Sequence, residues 1–305
     1  MKKNSEPVAF IILNYRTPEE TVECVRSVLA LSYEPKKIII VDNNSNDGSV
    51  EKIEASLNDE NEVQVIYRKD AQEGRKTDSK IVIIANDENR GYSAGNNLGI
   101  DYALSQGIIY GFILNPDTRI VTDNVEEGIS FLQENEKILI LVPLIVDNDF
   151  SEQPLLPPET CRFITNILKI FFGKFLSKSP EVSHREFSQI EKPHGCCMLI
   201  DLKNFRAIGL FDENLFLSGE ESVIQFVTQR SGFKIIFYSK IKVKHLHKKS
   251  HSIQKGYRNF MESKKYIFAN YCSWKRWQIS IWQFFLEVYV LMLSLVERFK
   301  ISLIE

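Results

Sequence analysis

The side chains able to do chemistry fall where apolar runs break. In GFILNPDTRI, residues 111–120, Phe112, Ile113 and Leu114 read as a buried strand. Asn115-Pro116-Asp117 ends it, because proline cannot donate to a sheet ladder. A single carboxylate, Asp117, is left where the strand emerges. Ligands of open α/β sheets gather at the carboxyl ends of strands, and a hard oxygen there suits Mg2+ or Mn2+ carrying a phosphorylated substrate. The alternative is a strand-to-turn junction in which Asp117 only caps the next segment. Asp42 stands similarly after Ile38 to Val41, either as a ligand or as an Asx turn of the kind that Asn43, Asn44 and Asp47 also offer. In NDENRGYSAGNNLG, residues 86–99, Gly91, Gly95 and Gly99 recur every fourth position and mark close backbone approach to a ligand or to a neighbouring element. Glu220-Glu221 stand ahead of Val223, Phe226 and Val227, where a helix dipole favours acids. His245, His247 and His251 follow the last strand; lysines crowd between them and no carboxylate accompanies them, which disfavours a zinc site.

The elements that would position these groups alternate. Val8 to Leu13 is a β-branched run with the length of a buried strand, ended by Asn14-Tyr15-Arg16-Thr17-Pro18, and Pro18 with Glu19-Glu20 suits the first turn of a helix. Ile38 to Val41 and Ile81 to Ala85 repeat the pattern, with helical spacing at Val50, Ile53 and Leu57 and again from Ile100 to Ser105. Strand, turn, helix, strand predicts parallel pairing with right-handed crossovers, a doubly wound nucleotide-binding layout. Residues 67–80 read as an exposed insertion. Residues 164–176, ITNILKIFFGKFL, read as a buried helix or as a lid touching lipid. Neither GxxxxGK[ST] nor GxGxxG after the first strand is present, so no phosphate loop or dinucleotide fingerprint organises the site.

Composition is that of an ordinary folded protein of 305 residues, 44% hydrophobic and 26% charged. The formal charge of -2 hides an asymmetry: residues 240–305 hold 13 Lys and Arg against 4 Glu, net +9, which leaves -11 for residues 1–239. A basic end on an acidic body points to an anionic partner, membrane lipid or a phosphorylated acceptor, or else to a solvated basic face. The five cysteines form no CxxC pair and fit a reducing compartment rather than a disulfide scaffold. Pro7 and Asn14-Tyr15-Arg16 make the first residues a poor signal peptide, so the start reads as cytoplasmic.

Taken together, Asn14-Tyr15, VDNNSNDGS (residues 41–49), NRGYSAGNNLGI (89–100), LNPD (114–117) and GLFDENLFLSGEE (209–221) resemble family 2 glycosyltransferases. More closely they resemble the bacterial rhamnosyltransferase-like branch of surface-polysaccharide (capsule) synthesis. The motifs stand in the family's order over about residues 8–250. The resemblance implies a GT-A (nucleotide-diphospho-sugar transferase) fold, α/β, with a mostly parallel central sheet flanked by helices and a C-terminal helical extension. It divides the chain into a transferase domain at 1–255, with a nucleotide-binding half to about 120 and an acceptor half beyond, and a basic, aromatic region at 256–305. By the same resemblance Tyr15 flanks the nucleobase and Asp42 accepts the pyrimidine N3–H. Asn89, Gly91, Gly95 and Asn96 lie along the nucleotide. Asp117 is the metal-ligating last Asp of the DxD motif, for Mg2+ or Mn2+, and Asn115 replaces its first Asp, which removes one charge from the site. His245 completes the metal site or meets the diphosphate. At the family's Glu-Asp pair this chain has Glu220-Glu221, so Glu221 takes the base position by alignment; its extra methylene keeps Glu220 in play.

The resemblance thus implies an inverting hexosyl or rhamnosyl transferase. It would move a sugar from dTDP-rhamnose or a UDP-sugar to a glycan or lipid-linked acceptor, with no nucleic-acid partner. A catalytically degenerate sugar-nucleotide-binding or scaffold subunit is the alternative. A nucleotidyltransferase shares the layout but wants a Gly-rich basic loop after the first strand, which Asn14 to Pro18 does not offer. In the tail, residues 278–296 are apolar but carry Gln283 and Glu287 near the middle. A carboxylate at a bilayer centre costs on the order of 3 kcal/mol. A helix lying on the cytoplasmic membrane surface, flanked by Lys275 and Arg276 and by tryptophans, is therefore favoured over a span; packing on the body or in a homodimer is the other reading.

Overall fold

The computed structural model describes residues 6–58, 62–180, 185–246 and 253–302. The first half runs β1 (Val8–Asn14), α1 (Pro18–Leu29), β2 (Lys36–Asp42), α2 (Ser49–Asn58), β3 (Val63–Tyr67), α3 (Arg68–Gln72), β4 (Ile81–Ala85), α4 (Gly91–Ser105) and β5 (Tyr110–Leu114). The second runs β6 (Thr118–Ile120), α5 (Val125–Glu134), β7 (Ile138–Val146), α6 (Phe163–Leu176), β8 (Phe187–Ile190), β9 (Cys197–Asp201), α7 (Leu202–Ala207), α8 (Glu220–Arg230), β10 (Lys234–His245), α9 (Ile253–Asn270) and α10 (Arg276–Ser302).

The strands form one sheet in the order β3-β4-β2-β1-β5-β9-β7-β10-β6, with β8 also on β10. From β3 to β5 every pairing is parallel, as the βα alternation requires. Beyond β5 the sheet is mixed: β9 enters antiparallel to β5 and β7, and β10 is parallel to β7 but antiparallel to β6 and β8. Strands covered on both faces read as unbroken apolar runs, and all seven residues of β1 and all nine of β7 are buried. The chain leaves β1 for β2 on one side and returns to β5 on the other. The carboxyl end of β1 is thus a topological switch point, the position at which open α/β sheets bind ligands.

Three features differ from the sequence reading: the β3 edge, the exposure of α6 and one disulfide. β3 (VQVIY) is a short, half-covered edge strand that the sequence reading did not pick out, although four of its five residues are β-branched or aromatic, and residues 68–72 of the expected insertion are helical. α6 is not buried: Ile164, Leu168, Phe172, Phe175 and Leu176 are exposed. Its inner side meets α10 through Phe171, whose ring lies 6.1 Å from Phe285 and 5.7 Å from Tyr289. Among the described residues no helix, α10 included, is long and apolar enough to cross a membrane. Finally, Cys161 and Cys272 form a disulfide across 111 residues of sequence, which corrects the expectation of wholly free thiols. The fold brings the loop before α6 onto the α9–α10 turn, a proximity that spacing cannot reveal. Trp274, in that same turn, donates from its indole Nε1 to the Cys161 carbonyl at 2.8 Å and stacks on Phe268 with centroids 3.9 Å apart.

Candidate active site

Asp117 is placed by the turn that follows β5. The Asn115 N–H donates to the Cys196 carbonyl (2.9 Å), and the Asn115 carbonyl accepts from the Thr118 N–H (3.1 Å) and hydroxyl (2.6 Å). β6 then pairs with the end of β10 so that Thr118 faces His245, and the Leu246 N–H donates to the Asp117 carbonyl at 2.9 Å. This register sets His245 Nε2 3.4 Å from Asp117 Oδ2, with both side chains largely covered. The ring of His194 stands edge-on to His245 at 6.3 Å, and its Nδ1 is 3.3 Å from Cys196 Sγ.

The same 194–196 segment meets the acid pair. A β-carbon placed on Gly195 would stand 2.7 Å from Glu221 Oε1, so the Glu221 carboxylate lies directly against that glycine. From the nucleotide side the Tyr92 hydroxyl donates to the Gly195 carbonyl at 2.7 Å. Asp117, His245, His194, Cys196, Gly195, Glu221 and Tyr92 therefore form one continuous patch. Burial pushes the Cys196 thiol well above its ordinary range, and the charges of Asp117 and Glu221 push it further, so it is no nucleophile at neutral pH.

Glu220 and Glu221 open α8, but their surroundings differ. Glu220 is only 8% exposed, and its Oε2 has no hydrogen-bond partner among the described residues. Its carboxyl is pushed up to about 8, by burial first and then by the neighbouring Glu221 charge. Burial and the neighbouring charge therefore favour the neutral form of Glu220, whereas Glu221 is only partly buried and lies against Gly195.

At the carboxyl ends of β1 and β2, Asp42 is buried. Its Oδ1 accepts from Asn14 Nδ2 and from the Ser45 hydroxyl, each at 2.6 Å, and its Oδ2 accepts from the Ser45 N–H at 3.0 Å. The last contact is the Asx-type turn weighed for this residue, and it leaves acceptor capacity on Oδ2. Tyr15 is open at 37% exposure, with the Arg16 guanidinium 5.2 Å above its ring. Asn89 Oδ1 accepts from Asn43 Nδ2 (3.0 Å) and from the Gly91 N–H (2.9 Å).

The glycine series is occupied by neighbouring elements. A β-carbon on Gly91 would fall 2.1 Å from the Phe216 carbonyl oxygen, on Gly95 2.4 Å from Leu13 Cδ1, and on Gly99 2.5 Å from Ile11 Cγ2. Gly91 and Gly95 thus serve close packing of α4, one of the two compatible roles expected of them. Asn96 is fully buried, with Nδ2 on the Tyr92 carbonyl at 3.0 Å.

The donor set can be tested against a divalent cation. Asp117 and His245 converge, but no group of three His, Cys, Asp or Glu able to hold a metal occurs among the described residues. His247 and His251 lie outside them. Two donors beside an open crevice fit Mg2+ or Mn2+, which keep waters and substrate phosphates in the remaining positions. Sequence reasoning gave Tyr92 and His194 no role. Both stand inside or beside motifs, but only the fold shows that they share a patch with Glu221 and Asp117.

A profile of glycosyl transferase family 2 matches residues 9–208. The low-salt glycan biosynthesis hexosyltransferase Agl10 of Haloferax volcanii is 28% identical over 151 residues, 48% of this chain and 46% of that protein. The chain thus spans about half the length of this curated relative. A crystal structure of GalNAc-T7 with UDP, GalNAc and Mn2+ superposes with TM-score 0.57 at 16% identity, over 88% of this chain and 51% of that one. TarS of S. aureus, residues 1–349, gives 0.53 at 13% identity over 93% and 70%. These two likenesses establish a GT-A-like fold. With the family profile covering well over half of its length, from β1 through β9, the chain belongs to glycosyl transferase family 2.

Proposed function

We propose that this glycosyltransferase moves a hexosyl or rhamnosyl group, with inversion, from a nucleoside-diphosphate donor to a hydroxyl of a glycan or lipid-linked acceptor. The observation that carries the reading is the convergence of the Asp117–His245 pair and Glu221 on residues 194–196. Diphosphate and acceptor need to meet from opposite sides of one sugar, and these two groups of side chains flank one short segment.

In this mechanism Tyr15, Asp42 and Asn89 receive the nucleoside at the ends of β1, β2 and β4. Asp117 and His245, with Asn115 beside them, would hold Mg2+ or Mn2+, whose charge would stabilise the leaving diphosphate. Glu221 accepts the proton of the acceptor hydroxyl, whose oxygen attacks the anomeric carbon opposite the departing diphosphate, so no covalent enzyme intermediate forms. Glu220 stays protonated beside it and thereby spares Glu221 a like charge. Tyr92 and Gly195 hold the patch in register.

A dTDP-rhamnose or UDP-sugar donor agrees with the motif pattern of the rhamnosyltransferase-like branch. Mn2+ agrees with the cation in the GalNAc-T7 structure. The exposed apolar sides of α6 and α10 support work at the cytoplasmic face of a membrane, on surface polysaccharide, or pairing with a second copy through α10. Release of nucleoside diphosphate from a donor panel, with and without Mn2+, tests the function. Metal-dependent release with one donor supports it. Donor binding without turnover favours the sugar-nucleotide-binding subunit, a reading to which Asn115 and Glu221, in place of two aspartates, lend support.

A further inference from the structure

A second polar cluster lies behind the acid pair. A cavity of about 350 Å3 opens between the Pro157-Pro158 loop and helices α6, α9 and α10. Its charged lining is Glu159, Lys169, Lys192 and Lys264, three cations against one anion. Glu159 and Lys264 form a largely buried ion pair. Glu159 is fastened to α8, because its Oε2 accepts from the Ser222 hydroxyl (3.1 Å) and its N–H and carbonyl pair with the Gln225 side-chain amide (2.8 and 3.1 Å). Lys192 lines the cavity and is close enough to act electrostatically on Glu159, Lys264 and Glu220 alike. Neither Lys169 nor Lys192 forms an ion pair among the described residues.

The rest of the lining is of another kind. Ile170, Phe260, Phe268, Trp282 and Leu286 make an apolar wall, beyond which Phe172, Phe175 and Phe284 are exposed on α6 and α10. A bare anion has no use for that wall, and an uncharged lipid has none for a surplus of two positive charges. An ammonium cluster beside an apolar wall fits a phosphate ester carrying a hydrocarbon chain.

We propose that this cavity binds the phosphate of a lipid-linked acceptor, with Lys169, Lys192 and Lys264 on the phosphate and the wall formed by Phe260, Phe268 and Trp282 on the first carbons of the chain. The inference rests on the transferase reading and adds the acceptor's chemical class. The acceptor is anchored on one side of α8 and presents its hydroxyl to Glu221 on the other. The excess charge of the C-terminal region thereby gains a local purpose, since Lys264 comes from it.

The test is titration of the full chain with decyl phosphate below its micelle concentration, read by tryptophan fluorescence, since Trp282 lines the cavity. Decanol and inorganic phosphate are run in parallel. Saturable binding of decyl phosphate at least about tenfold tighter than either is expected. Lys169→Gln with Lys192→Gln weakens it by about tenfold or more, and the corresponding double arginine variant restores it. Decanol binding as tightly as decyl phosphate, inorganic phosphate doing so, or unchanged affinity in the double glutamine variant each overturns the assignment. Nucleoside diphosphate release is followed in the same preparation. Donor turnover without decyl phosphate binding sinks this site alone, whereas binding without turnover keeps the site and sinks the transferase reading.

Discussion

Gly195→Ala isolates the position of one carboxylate. The alanine β-carbon would stand 2.7 Å from Glu221 Oε1, 3.3 Å from Cδ and 3.4 Å from Cγ. Ordinary contact begins near 3.4 Å, so the carboxylate has to retreat by roughly 0.7 Å. Glu221 is the far end of a flexible side chain, and the glycine backbone is not in the left-handed region, so the fold accommodates the methyl group by a side-chain rotation. The expected cost in stability is below about 1 kcal/mol. Catalysis is less forgiving, because misplacing a reacting group by about 1 Å can cost on the order of 100-fold. The account predicts a fall in kcat of roughly 10- to 100-fold in acceptor transfer, with the donor KM within about twofold of wild type. Steady-state release of nucleoside diphosphate with varied donor, beside a thermal melt of the same sample, measures both. Wild-type kcat in a variant that folds normally would refute the placement of the base at Glu221.

Three further outcomes follow from the geometry. Gly91 has φ +93° and its β-carbon would meet the Phe216 backbone at 2.1 Å, so Gly91→Ala should destabilise by about 2–4 kcal/mol in urea unfolding, and a loss below 1 kcal/mol would contradict that packing. Glu220 is raised from 4.5 to about 8, so the native state binds its proton more tightly than the unfolded chain, and stability falls as pH rises through that interval. Glu220→Gln removes that slope: its melting temperature should exceed wild type at pH 8.5 and approach it at pH 5, and a parallel offset at both pH values would show that Glu220 is not titrating there. Asp117→Asn should weaken Mn2+-dependent donor binding by at least the ~10- to 100-fold that loss of a supporting partner costs a metal site, with metal-independent binding little changed; calorimetry with and without Mn2+ distinguishes the two.

Much of the parallel half was legible because its physics is local. β1, β2, β4 and β5 are short apolar runs ended by Asn, Asp or Pro, and each appears where the runs stand. The strand-end positions of Asp42 and Asp117 followed from those runs. What sequence could not show are the contacts that fix roles. Glu220 and Glu221 are adjacent and chemically alike, and only the fold separates the buried Glu220, whose neutral form is favoured, from the partly exposed Glu221. The glycines of α4 signalled close approach without naming the neighbours, which the fold shows to include Phe216, Leu13 and Ile11. The Cys161–Cys272 bond and the Glu159–Lys264 pair join segments more than 100 residues apart, and α6 resembles a core helix in composition but lies on the surface beside α10.

The central claim is that Glu221 takes the acceptor proton while the neighbouring Glu220 stays neutral. Single-turnover transfer from the preferred donor, compared among wild type, Glu221→Gln and Glu220→Gln at saturating donor, tests it most directly. The account predicts a loss of at least about 100-fold for Glu221→Gln with donor affinity preserved, and retention within about tenfold for Glu220→Gln. Loss in Glu220→Gln with activity kept in Glu221→Gln would contradict it.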